Sequence, residues 1–118
     1  MNDLQQRTKQ FAIDVFRFCD TLPNKPTVWI INKQLMRSAS SVGANYRAAC
    51  HARSRAEFLS KMSIVEEEAD ESQFWLEMLQ ELEIGSQSRL RDLHQEASEL
   101  TGIVIASIKT ARKNQNVS

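Results

Sequence analysis

The side chains best suited to metal chemistry are carboxylates crowded into one stretch of the chain: Glu66, Glu67, Glu68, Asp70 and Glu71. A helical bundle can hold two metal ions between inward carboxylates, but that site also needs Glu-x-x-His on two helices. The two histidines, His51 and His94, have no Glu three residues before them. We therefore predict no metal and no cofactor. We interpret the carboxylates as a solvated face that pairs with basic residues of the preceding helix.

A nucleophile and a base stand next to each other at Cys50 and His51. Successive helical residues diverge by about 100° and do not face each other, so this pair does not favour covalent catalysis. The chain also lacks Cys-x-x-Cys, a P-loop and His-Glu-x-x-His. We predict a protein that is not an enzyme and has no small-molecule substrate. Cys19 and Cys50 are interpreted as small buried apolar side chains in a reducing compartment.

Three polar residues, Ser38, Asn45 and Ser72, fall on otherwise apolar stripes. A buried polar side chain without a partner costs about 1–3 kcal/mol. One interpretation is a hydrogen-bonded layer that fixes the register of the second and third helices. The alternative is a layer that binds a ligand.

Apolar residues recur at steps of three and four along four segments, which predicts four helices. The first runs from about Asp3 to Asp20, and Pro23–Pro26 breaks the chain after it. Thr27 is predicted to cap the second helix, which ends near residues 51–53. In the third helix, Ser54 and Glu57 form a predicted capping box. Gly85 is predicted to close that helix, and Ser86 or Ser88 to cap the fourth.

The short connections between these segments predict neighbouring helices that run in opposite directions. Together with 3 Gly and 2 Pro in 118 residues, they indicate an all-α fold, an antiparallel up-down-up-down four-helix bundle. Residues 1–113 form one predicted domain, and residues 114–118 a frayed polar tail. The chain shows no apolar run near ~18 residues and no signal sequence. We therefore expect a cytoplasmic protein without a membrane partner.

The apolar stripes are wider than one bundle core requires, because several apolar residues are adjacent in sequence. One explanation is a wide core with Trp29 and Trp75 at its margins. The other is a second buried surface between subunits of a homo-oligomer. The candidate interface residues are Trp29, Ile30, Phe74, Trp75, Ile103 and Ile105.

Charge is unevenly distributed although the formal net charge is zero. In the predicted topology, one end collects Lys61 and eight candidate nucleic-acid-binding residues: Arg7, Lys9, Arg47, Arg53, Arg55, Lys109, Arg112 and Lys113. The acids expected there are Asp3 and Glu57, whereas Glu96 is expected at the opposite end. Clustered Lys and Arg indicate phosphate binding. A solvated end that complements helix dipoles is the alternative.

The segment from Arg37 to Leu59 resembles the bacterial four-helix bundle protein family, which includes proteins encoded by intervening sequences of 23S rRNA genes. The resemblance rests on a Ser-rich helix with an Asn, then Arg-Ser-x-x-Glu-Phe, then a Glu in the third helix. The matching residues, for which we expect structural roles, are Ser38, Asn45, Arg53, Ser54, Glu57, Phe58 and Glu71. Many members have Glu-Gly and Gly-Ser where this chain has Ala48-Ala49 and Glu67-Glu68, which indicates a divergent branch.

This resemblance implies a four-helix bundle, a homopentamer and no known catalysis. Related accessory proteins of diversity-generating retroelements bind nucleic acid and a reverse transcriptase through basic surfaces. The first functional hypothesis is therefore a non-catalytic, ring-forming bundle that binds RNA or an RNA–protein complex through its basic end. The second is a scaffold that docks a protein partner and binds no nucleic acid.

Overall fold

The computed structural model describes the backbone of residues 2–117 and the side chains of residues 2–114. Over this range the chain forms four α-helices and no strand, which confirms the predicted all-α class. The helices are α1 (Asp3–Cys19), α2 (Pro26–Cys50), α3 (Arg55–Glu81) and α4 (Gln87–Val117). The fraying predicted for residues 114–118 stays a prediction. The α4 backbone runs to Val117, and Ser118 lies outside the described residues.

Side chains cap the first turns of α1 and α3. Asn2 Oδ1 accepts a hydrogen bond from the Gln5 backbone N–H at 2.7 Å, and Gln5 Oε1 accepts one from Asn2 N–H at 2.9 Å. Ser54 Oγ accepts from Glu57 N–H at 3.0 Å, as predicted. The Glu57 carboxylate, however, accepts from Arg53 N–H at 3.1 Å rather than from Ser54 N–H. The predicted capping box at α3 therefore forms in part: the Ser54 bond is present, but the Glu57 carboxylate binds the N–H of the residue before Ser54.

The start of α2 differs from its prediction. Lys25 has extended backbone angles and is the N-cap, with Pro26 in the first turn, so the prediction of Thr27 as the cap is wrong. Proline is favoured there because its missing N–H would have had no partner in the helix. At α4 the prediction holds for Ser86, whose Oγ accepts from Arg89 N–H at 3.3 Å.

The end of α3 is closed by Glu83 instead of the predicted Gly85. Glu83 has a φ of 56°, and its N–H donates to Gln80 O at 3.1 Å. Ile84 N–H donates to Leu79 O at 2.9 Å, which completes a Schellman motif. Gly85 also has a positive φ, 90°, but it lies in the following turn, packed against Phe18 and Leu22.

Buried side chains form two clusters in the described part of the chain. We call the region around the first cluster the closed half, since all four helices contribute to it: Phe11, Val15, Phe18, Cys19, Ile31, Leu35, Ala39, Leu76, Leu79, Leu90, Leu93, Ala97 and Leu100. The region around the second is the open half, whose buried residues come from α2, α3 and α4: Val42, Tyr46, Ala49, Met62, Val65, Ala69, Val104 and Ile108.

The open half arises from unequal helix lengths. The 17 residues of α1 span about 25 Å, whereas the 31 residues of α4 span about 46 Å at ~1.5 Å per residue. From α1, half-buried Leu4 reaches the second cluster. Helices adjacent in sequence pack against each other, and α1 makes a smaller contact with α4. One end of the bundle is therefore covered by α1 less completely than the other.

Two fully buried serines join α2 and α3. Ser38 Oγ and Ser72 Oγ are 2.9 Å apart, which confirms the predicted hydrogen bond between these helices. Asn45 does not belong to this layer, so that part of the prediction is wrong. It is half-buried, and its side-chain N–H donates within α2 to Ser41 O at 3.0 Å and to Ser41 Oγ at 2.8 Å. The buried hydrogen bond between α2 and α3 is therefore formed by the two serines without Asn45.

The predicted pairing of the acidic face with α2 is confirmed for two carboxylates. Arg37 donates to Glu68 at 2.9 Å and also to Glu71, which in turn accepts from Trp75 Nε1 at 3.0 Å. Both cysteines are free thiols. Burial raises the pKa of Cys19 to about 12. Cys50 is exposed, so the prediction that it is a buried apolar side chain is wrong.

Candidate nucleic-acid interface

Side-chain contacts bring the start of α1 beside the end of α2. Asn2 Nδ2 donates to Tyr46 Oη at 3.4 Å and lies 3.6 Å from Cys50 Sγ. Burial and the neighbouring Cys50 raise the pKa of Tyr46. Leu4 from α1 and Phe58 from α3 pack against the open-half cluster. The helix ends that carry the candidate basic residues therefore surround the open half.

One groove lies between α1 and α2, and we call it the α1–α2 groove. Its volume is about 600 Å³, and its lining residues are Gln5, Lys9, Ala12, Ser40, Gly43, Ala44, Arg47 and His51. A Cβ at Gly43 would lie 3.4 Å from Thr8 O, so the two backbones approach closely here. The groove therefore has a floor of small residues with one cation on each wall, Lys9 from α1 and Arg47 from α2.

A second groove, which we call the α3–α4 groove, has a volume of about 620 Å³. It is lined by Arg55, Phe58, Ile103, Ala106, Ser107, Thr110, Ala111 and Asn114. Lys109 and Lys113 are exposed. They follow the lining residues Ala106 and Thr110 by three positions, so each lies on the surface of α4 next to the groove. Arg112 is two positions, or about 200° around the helix, beyond Thr110. This groove is apolar along its length with cations at its edge.

Arg7 is occupied by carboxylates of α4. Its Nε and Nη2 donate to the two Glu96 oxygens at 2.8 Å each, and Nη2 also donates to Glu99 at 3.1 Å. The hydrogen bonds with Glu96 raise the pKa of Arg7 above its ordinary value. The prediction that Glu96 lies at the opposite end from Arg7 is wrong. Because α4 extends past α1, its middle lies beside the start of α1.

The remaining candidate cations are exposed: Lys9, Arg47, Arg53, Arg55, Lys109, Arg112 and Lys113. None of them forms an ion pair with another side chain of residues 2–114. Lys61, by contrast, is half-buried. The structure therefore offers seven solvated cations around the open half, two of them in one groove and one, Arg55, in the other.

The candidate interface residues divide into two groups. Ile30, Trp29 and Phe74 are 64%, 57% and 51% exposed, and Ile103 is 36% exposed. Trp75 and Ile105 are half-buried. The Trp75 ring stacks edge-on against Phe74 with 4.9 Å between centroids. Phe16 and Leu82 are also exposed, and the sequence analysis missed them.

The sequence did not predict that His51 and the small residues Ser40, Gly43 and Ala44 line the α1–α2 groove. Ser40, Gly43, Ala44 and Arg47 recur at steps of three and four on α2, and this spacing is the signal that could have indicated a shared face. Within the described residues, no group of three or more His, Cys, Asp or Glu could hold a metal ion. In the same range, no helix is long and apolar enough to cross a membrane.

Comparison with known proteins supports the family resemblance of residues 37–59. Residues 2–106 match the model of a family described as 23S rRNA-intervening sequence protein. The chain belongs to this family. A protein with unknown function from the S23 ribosomal protein family of Bacteroides thetaiotaomicron, whose crystal structure has been solved, is 31% identical in sequence to this chain. It superposes with a TM-score of 0.84, over 90% of this chain and 98% of that one.

The family match does not extend to the whole basic end. Lys109, Arg112 and Lys113 follow the last matched residue, 106, whereas Lys9, Arg47 and Arg53 lie inside the match. No curated protein matches the chain. The α1–α2 groove is therefore formed by family-matched residues, whereas Lys109 and Lys113 beside the α3–α4 groove follow the match.

Proposed function

We propose that this family member is a non-catalytic, homo-oligomeric helical bundle of the cytoplasm. It binds RNA or an RNA–protein complex through its basic end. The observation that carries the proposal is the α1–α2 groove, where Lys9 and Arg47 stand on opposite walls and carry no intramolecular ion pair within residues 2–114. The description of the family as 23S rRNA-intervening sequence protein supports RNA as the class of partner.

The groove suits a phosphate backbone. Its small floor residues, Ala12, Gly43 and Ala44, let a strand approach the two helices closely, and the flanking cations neutralise phosphates. Phosphate contacts position a nucleic acid without reading its sequence. The proposed binding is therefore strong at low salt and weakly dependent on sequence.

The proposed bundle has the up-down-up-down order. At the start of α1, Asn2 contacts Tyr46 near the end of α2. At the end of α1, Cys19 O accepts a hydrogen bond at 3.2 Å from Nδ2 of Asn32, near the start of α2, so the two helices run in opposite directions. The same relation holds for α3 and α4, where Gln73 donates to Thr101 at 3.0 Å and Glu77 contacts His94 at 2.8 Å. These pairs support the helix directions that the short connections predict.

The proposed oligomer is a pentamer. Trp29, Ile30 and Phe74 are each more than half exposed, and burial of such large apolar side chains between copies favours self-association. Sedimentation at micromolar protein concentration tests this part by itself. A 13.5 kDa monomer at all concentrations would contradict it.

Affinity for a structured RNA hairpin, measured by fluorescence anisotropy across a salt series, tests the RNA part. Replacing Lys9 and Arg47 by alanine should reduce the slope of log K against log salt by about 1.4–1.8, since each lost phosphate contact contributes ~0.7–0.9. Lys25→Ala with Arg91→Ala is the matched control, because both residues are exposed and lie outside the basic end. That control should leave the slope unchanged.

A scaffold without nucleic-acid binding is the second candidate. It is favoured by the occupation of Arg7 by Glu96 and Glu99, which removes one cation from the proposed RNA surface. It is also favoured by the exposed Trp29 and Ile30. If the parent protein binds no RNA at low salt, the scaffold replaces the RNA proposal.

A further inference from the structure

The α3–α4 groove lies where α1 leaves α4 uncovered. Arg7 is level with Glu96 and Glu99, and α1 begins four residues before Arg7. Among the described residues, α1 therefore runs beside α4 only as far as about residue 103. From Ile103 to Asn114 the groove extends for about 16 Å, or three helical turns. It has the length and the apolar lining of a site for one helical face.

The occupant that the structure itself suggests is the solvent-facing side of α3. Five exposed residues recur there at steps of three, four, three and four, and we call them the acidic stripe: Glu67, Asp70, Phe74, Glu77 and Glu81. This spacing aligns them on one face over about 21 Å. Phe74, 51% exposed, stands in the middle of the four carboxylates.

The groove and the stripe carry opposite charges around apolar side chains. The groove is apolar with Arg55, Lys109 and Lys113 at its edge, whereas the stripe has a central aromatic ring with carboxylates around it. Glu67, Asp70 and Glu81 form no ion pair within residues 2–114. Of the stripe carboxylates, Glu77 contacts His94. Most charges on both surfaces are therefore free to pair with another molecule.

We infer that the acidic stripe of one copy docks into the α3–α4 groove of a second copy, with Phe74 against Phe58 and Ile103. This inference rests on the proposed homo-oligomer and identifies its surfaces. The two surfaces differ, so the contact is heterologous: each copy offers its stripe to one neighbour and its groove to another. Burial of the Phe74 ring provides apolar contact, and the charges fix partner and orientation.

This contact divides the basic end between two partners. Arg55, Lys109 and Lys113 face carboxylates of the neighbouring copy, and their charges are neutralised in the assembly. Lys9 and Arg47 remain solvated in the α1–α2 groove. RNA binding and self-association therefore use different cations and can be lost separately.

Charge reversal on each surface tests the contact by sedimentation velocity. The stripe variant is Glu67→Lys with Asp70→Lys, and the groove variant is Lys109→Glu with Lys113→Glu. Each alone should weaken self-association at least tenfold, because like charges then face each other. The chain with all four substitutions should regain assembly, because opposite charges then face each other again.

Matched controls separate this contact from unspecific charge effects. Arg112→Glu lies on the same helix but about 200° from Thr110, and Asp92→Lys is exposed outside both surfaces; both should assemble as the parent does. Phe74→Ser should weaken assembly, whereas Phe16→Ser, at an exposed Phe of α1, should not. Circular dichroism melting of every variant establishes that it is folded.

The outcomes separate the inference from the function on which it rests. If the parent assembles but either charge-reversed variant assembles equally well, the stripe–groove contact is wrong and the homo-oligomer stands. If the four-substitution chain fails to regain assembly, the two surfaces do not meet. A parent that is monomeric throughout overturns both the oligomer and this contact, while RNA binding is decided by the salt series.

Discussion

The closed half and the open half contain the same kinds of helix but differ in how fully those helices surround the core. In the closed half, large side chains such as Phe11 and Phe18 meet residues from all four helices at 0–1% exposure. Arg89 also covers the Phe18 ring, with its Cζ 5.1 Å from the centroid. In the open half, the buried residues come from three helices.

The difference indicates that stability and binding are separated along the bundle axis. A core closed on all sides gains the most from burial and loses the most when a side chain is truncated. The open half has both grooves and all seven solvated candidate cations at its periphery. Shortening one helix of a four-helix arrangement thus leaves a concave surface while the other end holds the fold together.

Truncation of one buried aliphatic residue in each half measures this difference most directly. Leu76→Ala in the closed half should cost about 4–5 kcal/mol of unfolding free energy, because its cavity is enclosed. Ile108→Ala, at 4% exposure in the open half, should cost about 2–3 kcal/mol, because neighbours can relax into the space. Urea unfolding of the two variants gives both values. Equal losses would contradict the distinction between the halves.

A methyl group added at Gly85 should destabilise the closed half by about 1–3 kcal/mol. The Cβ of Gly85→Ala would lie 2.6 Å from Leu22 Cδ2 and 2.8 Å from Phe18 Cζ, at a φ of 90° that side chains disfavour. Thermal melting followed by circular dichroism measures the loss. A melting temperature equal to that of the parent would show that this turn is not packed against α1.

Alkaline pH should weaken the closed half through Cys19. Burial raises its pKa from 9.0 to about 12, so the folded state keeps the thiol neutral while the unfolded chain ionises it. This contribution is fully present below pH 9 and is lost as pH rises toward 12, and the loss reaches ~1.4 kcal/mol at pH 10. Urea unfolding at pH 8 and pH 10 should show the loss in the parent.

The two cysteines provide matched variants for that measurement. Cys19→Ala should be less stable than the parent at pH 8 but should lose less of its stability between pH 8 and pH 10. Cys50→Ala, at the exposed thiol of the open half, should retain the parental dependence. An unchanged pH dependence in Cys19→Ala would assign the alkaline loss to other groups.

The smallest expected effect is a gain in stability when Gly102, on α4 in the open half, is replaced by alanine. A Cβ there meets no atom within 4 Å, and the residue is helical. Gly102→Ala should therefore stabilise the protein by about 0.5–1 kcal/mol through helix propensity. Thermal melting of Gly102→Ala and Gly85→Ala in parallel should show changes in stability of opposite sign for the same glycine-to-alanine substitution. A loss of stability at Gly102 would indicate that α4 is strained or partnered at this point.

Sequence patterns predicted the helices well because each pattern depends on local geometry. Ile31, Leu35 and Val42 repeat at helical spacing, and the structure buries all three. Ser54 and Ser86 cap helices through bonds to residues three positions away. Glu83 was not predicted to close α3, since a left-handed Glu has no sequence signal comparable to glycine.

The candidate site was predicted less well because it depends on the register of helices distant in sequence. Arg7 and Glu96 are 89 residues apart, and no local pattern shows that α4 extends past α1. The same missing register concealed the α3–α4 groove, which Phe58 of α3 and Ile103 of α4 both line. The α1–α2 groove likewise depends on the close approach of Gly43 to Thr8.

The overhang of α4 beyond α1 also affects how the molecule opens. Residues 109–114 of α4 follow the last residue of the buried clusters, Ile108. We therefore expect their backbone hydrogens to exchange with solvent by local opening, whereas those around Leu76 require nearly global unfolding. Opening of these last turns leaves the hydrophobic cluster of the closed half intact. The helical segment that lines a groove can thus adjust to an occupant at a small free-energy cost, and a partner bound there would slow its exchange.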